Sequence, residues 1–506
     1  MSATILAHPS ERPSERPTER PADAATEYAD VVVIGAGLSG IGAAYHLQTR
    51  CKDKSFLILE ARATLGGTWD LFRYPGVRSD SDMNTLGFAF HPWKDPKVIA
   101  DGPAILKYLH EIVAAHALER HIRFGHKVLR ADWFRATSKW TVEVEHDGAT
   151  RVFTCGFLFT CSGYYDYDGG YTPDFPGRQS FRGQVVHPQA WPEHIEVAGK
   201  RVVVIGSGAT AVTLVPALAK LGAQATMLQR SPTYVVSLPS TDRLAERLRP
   251  HLPPGLHYKL VRWRNILLGI FLFKMARSRP AQTKAKIQGA IQKYLGPDYD
   301  VATHFSPTYN PWDQRLCLVP DGDLFRALKA GTAEIVTDRI DHFTETGLAL
   351  TSGRTLDADI VVTATGLQLK LLGGMKIAVD GTPVDFGKTM SYRGLMYSGV
   401  PNLATSFGYT NASWTLKSEL TCVYVCRILN YMTRHRYASV TPNPDAAIAS
   451  QPLLDFSSGY VQRSLDQLPR QGAKRPWRIY QNYLLDLISY RLSPLKEGTL
   501  KFSRQS

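Results

Sequence analysis

Cysteine is scarce in this chain. Six occur in 506 residues, at positions 51, 155, 161, 317, 422 and 426, and no two form a CxxC pair. That excludes a disulfide framework, a CxxC-type zinc site and a thiol–disulfide reductase, and a reduced, cytosolic setting is expected. No metal site is expected either. Long apolar runs are also missing. The longest, Ile266 to Phe273, has eight residues and stops at Lys274, far short of the ~18 that a membrane-spanning helix needs. No apolar leader core is visible near the N-terminus. That region is instead polar and Pro-rich, with Glu-Arg-Pro at 11–13, 15–17 and 19–21. Residues 1–27 are therefore expected to form a disordered tail, because they bury too little apolar surface to offset their ordering entropy.

Acidic residues are in deficit, with 45 Asp and Glu against 59 Lys and Arg, a net charge of +14. The deficit is local. Between Arg243 and Lys293 twelve basic residues face one acid, Glu246, which accounts for most of the excess. Trp263, Ile266, Leu267, Leu268, Ile270, Phe271 and Phe273 lie in the same stretch. The ordinary arrangement, and the one expected here, turns such an apolar stripe to the core and the basic face to water. The other arrangement lies on a membrane surface or feeds an apolar substrate, so peripheral membrane contact through 242–300 stays open. No nucleic-acid motif accompanies the charge. The remaining composition, 44% hydrophobic and 21% charged, is that of a globular chain. The length corresponds to roughly three domains, or two with insertions.

Strand-like and helix-like stretches alternate from Asp30 to about residue 365, which predicts an α/β fold with parallel sheets. Two β-type runs open abruptly, Val31-Val32-Val33-Ile34 and Val202-Val203-Val204-Ile205, and Ile360-Val361-Val362-Thr363 closes the second unit at Ala364-Thr365-Gly366. The predicted organisation is a first unit over 28–165, a second over 166–365 with the basic helical insertion 242–300, and a return to the first unit over 366–506. A helix is predicted from Ser413 to about Met432, with Ser413 as its N-cap.

Each β run leads into a glycine motif. The first is Gly35-Ala36-Gly37-Leu38-Ser39-Gly40, followed by a helix and then by a strand ending in Glu60, twenty residues past Gly40. Gly35 permits the tight turn, Gly37 lets backbone approach a pyrophosphate, and Gly40 lets helix pack on strand. The helix N-terminus offers unpaired N–H groups to the phosphates. Glu60 accepts ribose hydroxyls and repels a 2′-phosphate, so this site suits FAD or NAD. The second motif is Gly206-Ser207-Gly208-Ala209-Thr210-Ala211, with Val212 next and alanine in the third glycine position. Its following strand ends in Arg230-Ser231 where the first has an acid. A guanidinium and a hydroxyl suit a 2′-phosphate, so this site suits NADPH. One resident flavin and one mobile hydride donor make an NADPH-dependent flavoenzyme.

Between the units, Phe181-Arg182-Gly183-Gln184-Val185-Val186-His187-Pro188-Gln189-Ala190-Trp191-Pro192 matches FxGxxxHxxxWP. With the two glycine motifs in order, the chain resembles the type I Baeyer–Villiger monooxygenases over roughly residues 30 to 500. Within them, the segments 67–76, 309–317 and 408–416 are similar to the ethionamide-activating and long-chain-alkane branches. The resemblance implies two Rossmann-like domains, for FAD and for NADPH. It implies a gating role for His187 at the hinge, and an active-site arginine at Arg315 paired with Asp80 in Arg78-Ser79-Asp80. A fixed guanidinium there would steady the negative charge that develops during oxygenation. Thr68, Trp69, Asp70, Leu71, Asp80 and Val128 match flavin-contacting positions. The NADPH-contacting positions are Arg78, Ser79, Asp80, Gly206 to Val212, Arg230 and Ser231. The helix starting at Ser413 would aim its N-terminus at the flavin.

One departure is Gln314, where many members have a phosphate-gripping lysine, so NADPH binding is expected to be weaker. The expected reaction inserts one oxygen atom of O2 into an apolar or long-chain ketone, giving an ester, with sulfoxidation of sulfides or thioamides as a side activity. The alternatives are an N- or S-hydroxylating flavin monooxygenase without ketone activity, a long-chain alkane-pathway hydroxylase, and a nucleotide-sensing protein without turnover.

Overall fold

The computed structural model describes residues 26–444, 448–453, 458–496 and 498–505. The repeated Glu-Arg-Pro tail lies outside the described residues.

Two sheets organise the molecule, the first mixed and the second parallel. In the first, the strand Glu27–Ile34 pairs in parallel with Phe56–Leu59 on one side and with Ala149–Thr160 on the other. Val31, Val32 and Val33 are fully buried. A strand enclosed on both faces reads as a continuous apolar run, which is why this one was legible. Its first residue, Glu27, falls inside the stretch assigned to the tail and already pairs with Phe153. Ala149–Thr160 does double duty over its twelve residues. It pairs antiparallel with Lys139–His146, which itself pairs with Lys127–Phe134. Its last residues, Leu158–Thr160, also take Leu403–Thr405 in parallel. Lys376–Val379 joins the sheet beside Lys127–Phe134. Two segments remote in sequence thus return to the first sheet.

The second sheet is all parallel, in the order Ala333–Thr337, Gln224–Gln229, Arg201–Ile205, Ile360–Thr363, Gln184–Val186. The fingerprint strand Gln184–Val186 is its edge. The basic insertion leaves after Val235–Leu238 and returns at Cys317–Pro320, two strands that pair with each other. Between them stand the helices Arg243–Leu248, Pro254–Ser278, Pro280–Leu295 and Val301–His304.

The long helix Pro254–Ser278 overturns the expected core-facing stripe. Leu256, Leu260, Trp263, Leu267 and Phe271 are exposed, while a basic residue, Arg262, is buried. Arg262 Nη1 donates to the carbonyls of Asn84 (2.8 Å) and Gly87 (2.7 Å), and Nη2 to Glu419 Oε2 (2.8 Å). The helix is apolar around most of its circumference, so Val261 and Ile266 fill the inward face and the rest is left outside.

The helix Trp414–His435 begins where expected, but Ser413 does not cap it with its side chain. The Ser413 hydroxyl lies instead 2.6 Å from the Thr85 hydroxyl, which ties the helix start to the short helix Met83–Leu86.

Candidate active site

Both glycine loops open into one cavity of about 1640 Å³ between the sheets. At its first end, Gly35 has φ +99°, and a side chain there would meet the Cys161 carbonyl at 2.8 Å. A Cβ on Gly40 would fall 1.8 Å from the Gly35 carbonyl, so only glycine lets the helix Leu38–Arg50 start against the strand. Gly37 is its N-cap and faces the cavity with Ser39. The Ser39 hydroxyl itself is occupied by the late helix, accepting from Trp414 Nε1 at 2.8 Å. What Ser39 can offer a ligand is therefore its backbone N–H, which has no intrahelical partner in the first turn.

Glu60 is buried at the rim, its two oxygens accepting from the amides of Ala36 (2.6 Å) and Arg62 (2.9 Å). Burial pushes its pKa up, and those two amides pull it back. Each oxygen keeps a lone pair for a ribose hydroxyl. Thr68, Trp69 and Val128 line the same cavity. Asp70 and Leu71 do not. Asp70 is consumed by Arg62, whose Nε donates to it at 2.9 Å, and by Arg73 at 3.1 Å. Leu71 packs on the core of the second unit.

At the second end Gly206, Ser207, Gly208, Ala209 and Thr210 line the cavity, with Gly208 as N-cap of the helix Ala209–Lys220. Ala211 and Val212 turn into the core beneath. Arg230 and Ser231 are exposed on the cavity wall, and the Ser231 carbonyl accepts from the Ser207 hydroxyl at 3.0 Å. Both cradles therefore present helix N-termini and backbone N–H groups to one space, and the residues fit FAD at the first and NADPH at the second.

Between them stand Arg78, Ser79, Asp80, Gln314 and Arg315. Asp80 is crowded by protein atoms, yet its side chain is exposed and lines the cavity. Burial pushes its pKa up, and Arg315 followed by Arg78 brings it down. Arg78 is shared with Asp323, at 2.5 Å. The Ser79 hydroxyl is used locally, donating to the Ser81 carbonyl at 2.8 Å. Arg315 is carried on a tight loop held by the pair Arg277–Asp313 (2.5 Å) and by the Asn310 amide on Asp313 (3.0 Å). Trp312 in that loop has φ +72°.

His187 does not line the cavity. Its Nδ1 accepts from the Gln189 amide at 3.2 Å, which leaves the ring proton on Nε2. A Cβ on Gly170 would lie 2.3 Å from that nitrogen. The ring thus wedges between the loop 163–173 and Gly366, and burial pushes its pKa down while the Gly366 backbone raises it.

Sequence reasoning missed the aromatic wall. Tyr164, Tyr165, Tyr167 and Tyr171 line the cavity. Tyr164 stacks on Trp414 at 5.3 Å, and Lys370 ties the loop down through Asp166 (2.9 Å) and Asp168 (2.6 Å). Four tyrosines within eight residues were the available signal. Tyr74 was also missed. It sits between Asp80 and Thr210, with its pKa pushed up to about 12 mainly by burial.

The flavin-binding monooxygenase-like family model matches residues 29–244. The FAD-containing monooxygenase EthA of Mycobacterium tuberculosis is 52% identical over 482 residues, covering 95% of this chain and 99% of that protein. The probable FAD-binding monooxygenase AlmA of Acinetobacter baylyi is 47% identical over 485 residues, covering 95% and 97%. Among solved structures, an oxidized steroid monooxygenase bound to NADP superposes with a TM-score of 0.75 at 22% identity, covering 94% of this chain and all of that one. A cyclohexanone monooxygenase from Rhodococcus sp. Phi1 bound to NADP+ gives 0.70 at 22%, covering 95% and 100%. Two nucleotide cradles on one cavity, relatives matched along nearly their full length and a shared fold agree: the chain belongs to the flavin-binding monooxygenases and is an FAD-containing, NADPH-dependent monooxygenase.

Proposed function

We propose that the chain inserts one oxygen atom of O2 into an apolar or long-chain ketone. The balance is ketone, O2, NADPH and a proton going to ester, NADP+ and water. The observation that carries this reading is the placing of Arg315 and Asp80 on the cavity wall between the two cradles. FAD, reduced by NADPH, supplies the activated oxygen when bound.

The chain's own residues do the rest. Gly35, Gly37 and the first turn after them hold the FAD pyrophosphate, Glu60 its ribose, and Thr68, Trp69 and Val128 flank it. Gly206 to Thr210 hold the NADPH pyrophosphate, and Arg230 with Ser231 its 2′-phosphate. Arg315 steadies negative charge as the carbonyl is attacked, and Asp80 keeps the guanidinium in place. Fixed charge of this kind in a water-poor site is worth far more than in water. Trp312, Tyr164 and Tyr409 supply apolar wall, which favours a ketone of low polarity. His187 acts as a hinge and holds the fingerprint strand against the Tyr164–Tyr171 loop, as a domain-motion gate requires.

The solved neighbour named for cyclohexanone, a cyclic ketone, supports a carbonyl substrate. Sulfide and thioamide sulfur would be oxidised as a side activity. The test is a panel of ketones and sulfides with NADPH and product mass analysis. Esters from long-chain ketones are the expected result. Sulfoxides or N-oxides with no ester from any ketone would replace this reading by a heteroatom hydroxylase.

A further inference from the structure

The helix Pro254–Ser278 supplies part of the cavity's surroundings from one side and presents an apolar face to solvent from the other. On its inner side Ile266 packs with Tyr409, and the Phe273 ring lies 5.4 Å from Trp312; both Tyr409 and Trp312 line the cavity. On its outer side Leu256, Leu260, Trp263, Leu267 and Phe271 follow one another at helical spacing, and Phe271 is 61% exposed. A second helix, Tyr483–Leu492, meets the first where Tyr483 packs on Trp263 at 5.9 Å. It exposes Leu485, Ile488 and Leu492 at i, i+3 and i+7, with Leu492 at 75%. These two helices carry ten of the seventeen exposed large apolar side chains among the described residues. Soluble monomers do not ordinarily gather them so.

We propose that this two-helix face docks on an anionic phospholipid surface and that substrate reaches the cavity from that surface. Charge selects the occupant. Pro254–Ser278 and the next helix, Pro280–Leu295, contain no acid at all. On Tyr483–Leu492 the one acid, Asp486, is buried against Lys417 at 2.6 Å. Exposed Lys259, Lys274, Arg279 and Arg491 border the apolar side chains. Lys274 stands seven residues after Leu267, on the same face. Apolar side chains bordered by cations and centred on a tryptophan are the composition of a helix lying in a membrane interface. A second copy of the chain would bring two strongly basic stretches together and be repelled. No helix among the described residues is long and apolar enough to cross a membrane, so the contact is one of lying on the surface. The substrate class implied, ketones that partition into a bilayer, rests on the ketone reading above; the docking surface does not.

The test is flotation of the full chain, loaded with FAD, on vesicles of phosphatidylglycerol and phosphatidylcholine, and on phosphatidylcholine alone. Binding to the anionic vesicles is expected, weakened by salt and by omitting phosphatidylglycerol. The double variant L267E/F271E should lower that partition by about tenfold or more, with oxidation of a short, water-soluble ketone unchanged. Its KM for a long-chain ketone presented in vesicles should rise. Absence of wild-type binding, or equal binding by the variant, would overturn the proposal. So would a concentration-dependent dimer in light scattering that L267E/F271E abolishes, because a second copy would then be what covers the face. Flotation needs no turnover, so vesicle binding without ester formation would sink the ketone reading and leave the docking surface standing.

Discussion

Arg230 and Arg315 are both arginines on one cavity wall, yet their tasks differ and their variants should differ too. Arg230 is exposed, and the proposed function gives it nucleotide recognition. Removing it deletes a hydrogen bond to a charged phosphate, worth about 1.5–3 kcal/mol. Arg230→Ala should therefore raise the KM for NADPH roughly 10- to 100-fold and leave that for NADH nearly unchanged. Steady-state kinetics with both nucleotides decide it, and equal changes would remove Arg230 from the site. To Arg315 the proposed function gives a part in the reaction itself. Arg315→Ala should lower the rate of product formation by about 10²–10³, as loss of a fixed charge-stabilising donor does elsewhere. NADPH should still reduce the flavin, so measuring reduction and product separately distinguishes the two roles. Glu60 was readable as the acid that ends the strand beside the first glycine loop. That its oxygens also hold the Ala36 and Arg62 amides was not, because backbone partners depend on how the loop closes.

At the scale of elements, two buried polar groups set expectations for stability. In the first nucleotide helix, His46 is buried and its pKa is lowered to about 3, chiefly by burial and then by Arg50. The folded chain then binds fewer protons than the unfolded one between about pH 6.5 and 3. Stability falls as pH drops through that window, by up to ~1.4 kcal/mol per unit from this group. His46→Leu should flatten the dependence of the urea midpoint on pH below 6.5; an unchanged slope would show that His46 is not held neutral. In the insertion, Arg262 and Glu419 form a buried pair at 2.8 Å. Arg262→Ala strands Glu419 and the carbonyls of Asn84 and Gly87, at a cost of about 3–5 kcal/mol. A urea midpoint matching the wild type would show that the insertion does not depend on this anchor. The glycine-turn elements were legible because local sterics dictate them. The inward turn of Arg262 was not, since Asn84, Gly87 and Glu419, which receive its guanidinium, lie 157 or more residues away in sequence.

The whole molecule joins two nucleotide cradles through a single cavity whose far wall comes from late segments of the chain. Lys376–Val379 and Leu403–Thr405 re-enter the first sheet, so the helix Trp414–His435 returns to the first glycine loop and Trp414 reaches Ser39. A C-terminal truncation before Tyr483 would remove Asp486, the buried partner of Lys417 and of the Tyr409 hydroxyl (2.7 Å). Such a chain is expected to lose FAD on gel filtration, because an uncompensated Lys417 would be left beside the cavity wall. Retention of stoichiometric flavin would show that the wall stands without it.

The sequence by itself determined the two glycine cradles, the opposite charge of the residues that end their following strands, Glu60 and Arg230, and the fingerprint segment between them. Each rests on a few neighbouring residues whose turn geometry or charge is fixed locally. Only the tertiary structure decided which residues face the cavity, as with Asp70 turning to Arg62 and Arg73. It alone decided which face of the basic insertion meets water. A helix apolar nearly all round carries no internal sign of its inside, and the anchoring contacts of Arg262 with Asn84, Gly87 and Glu419 settle its rotation.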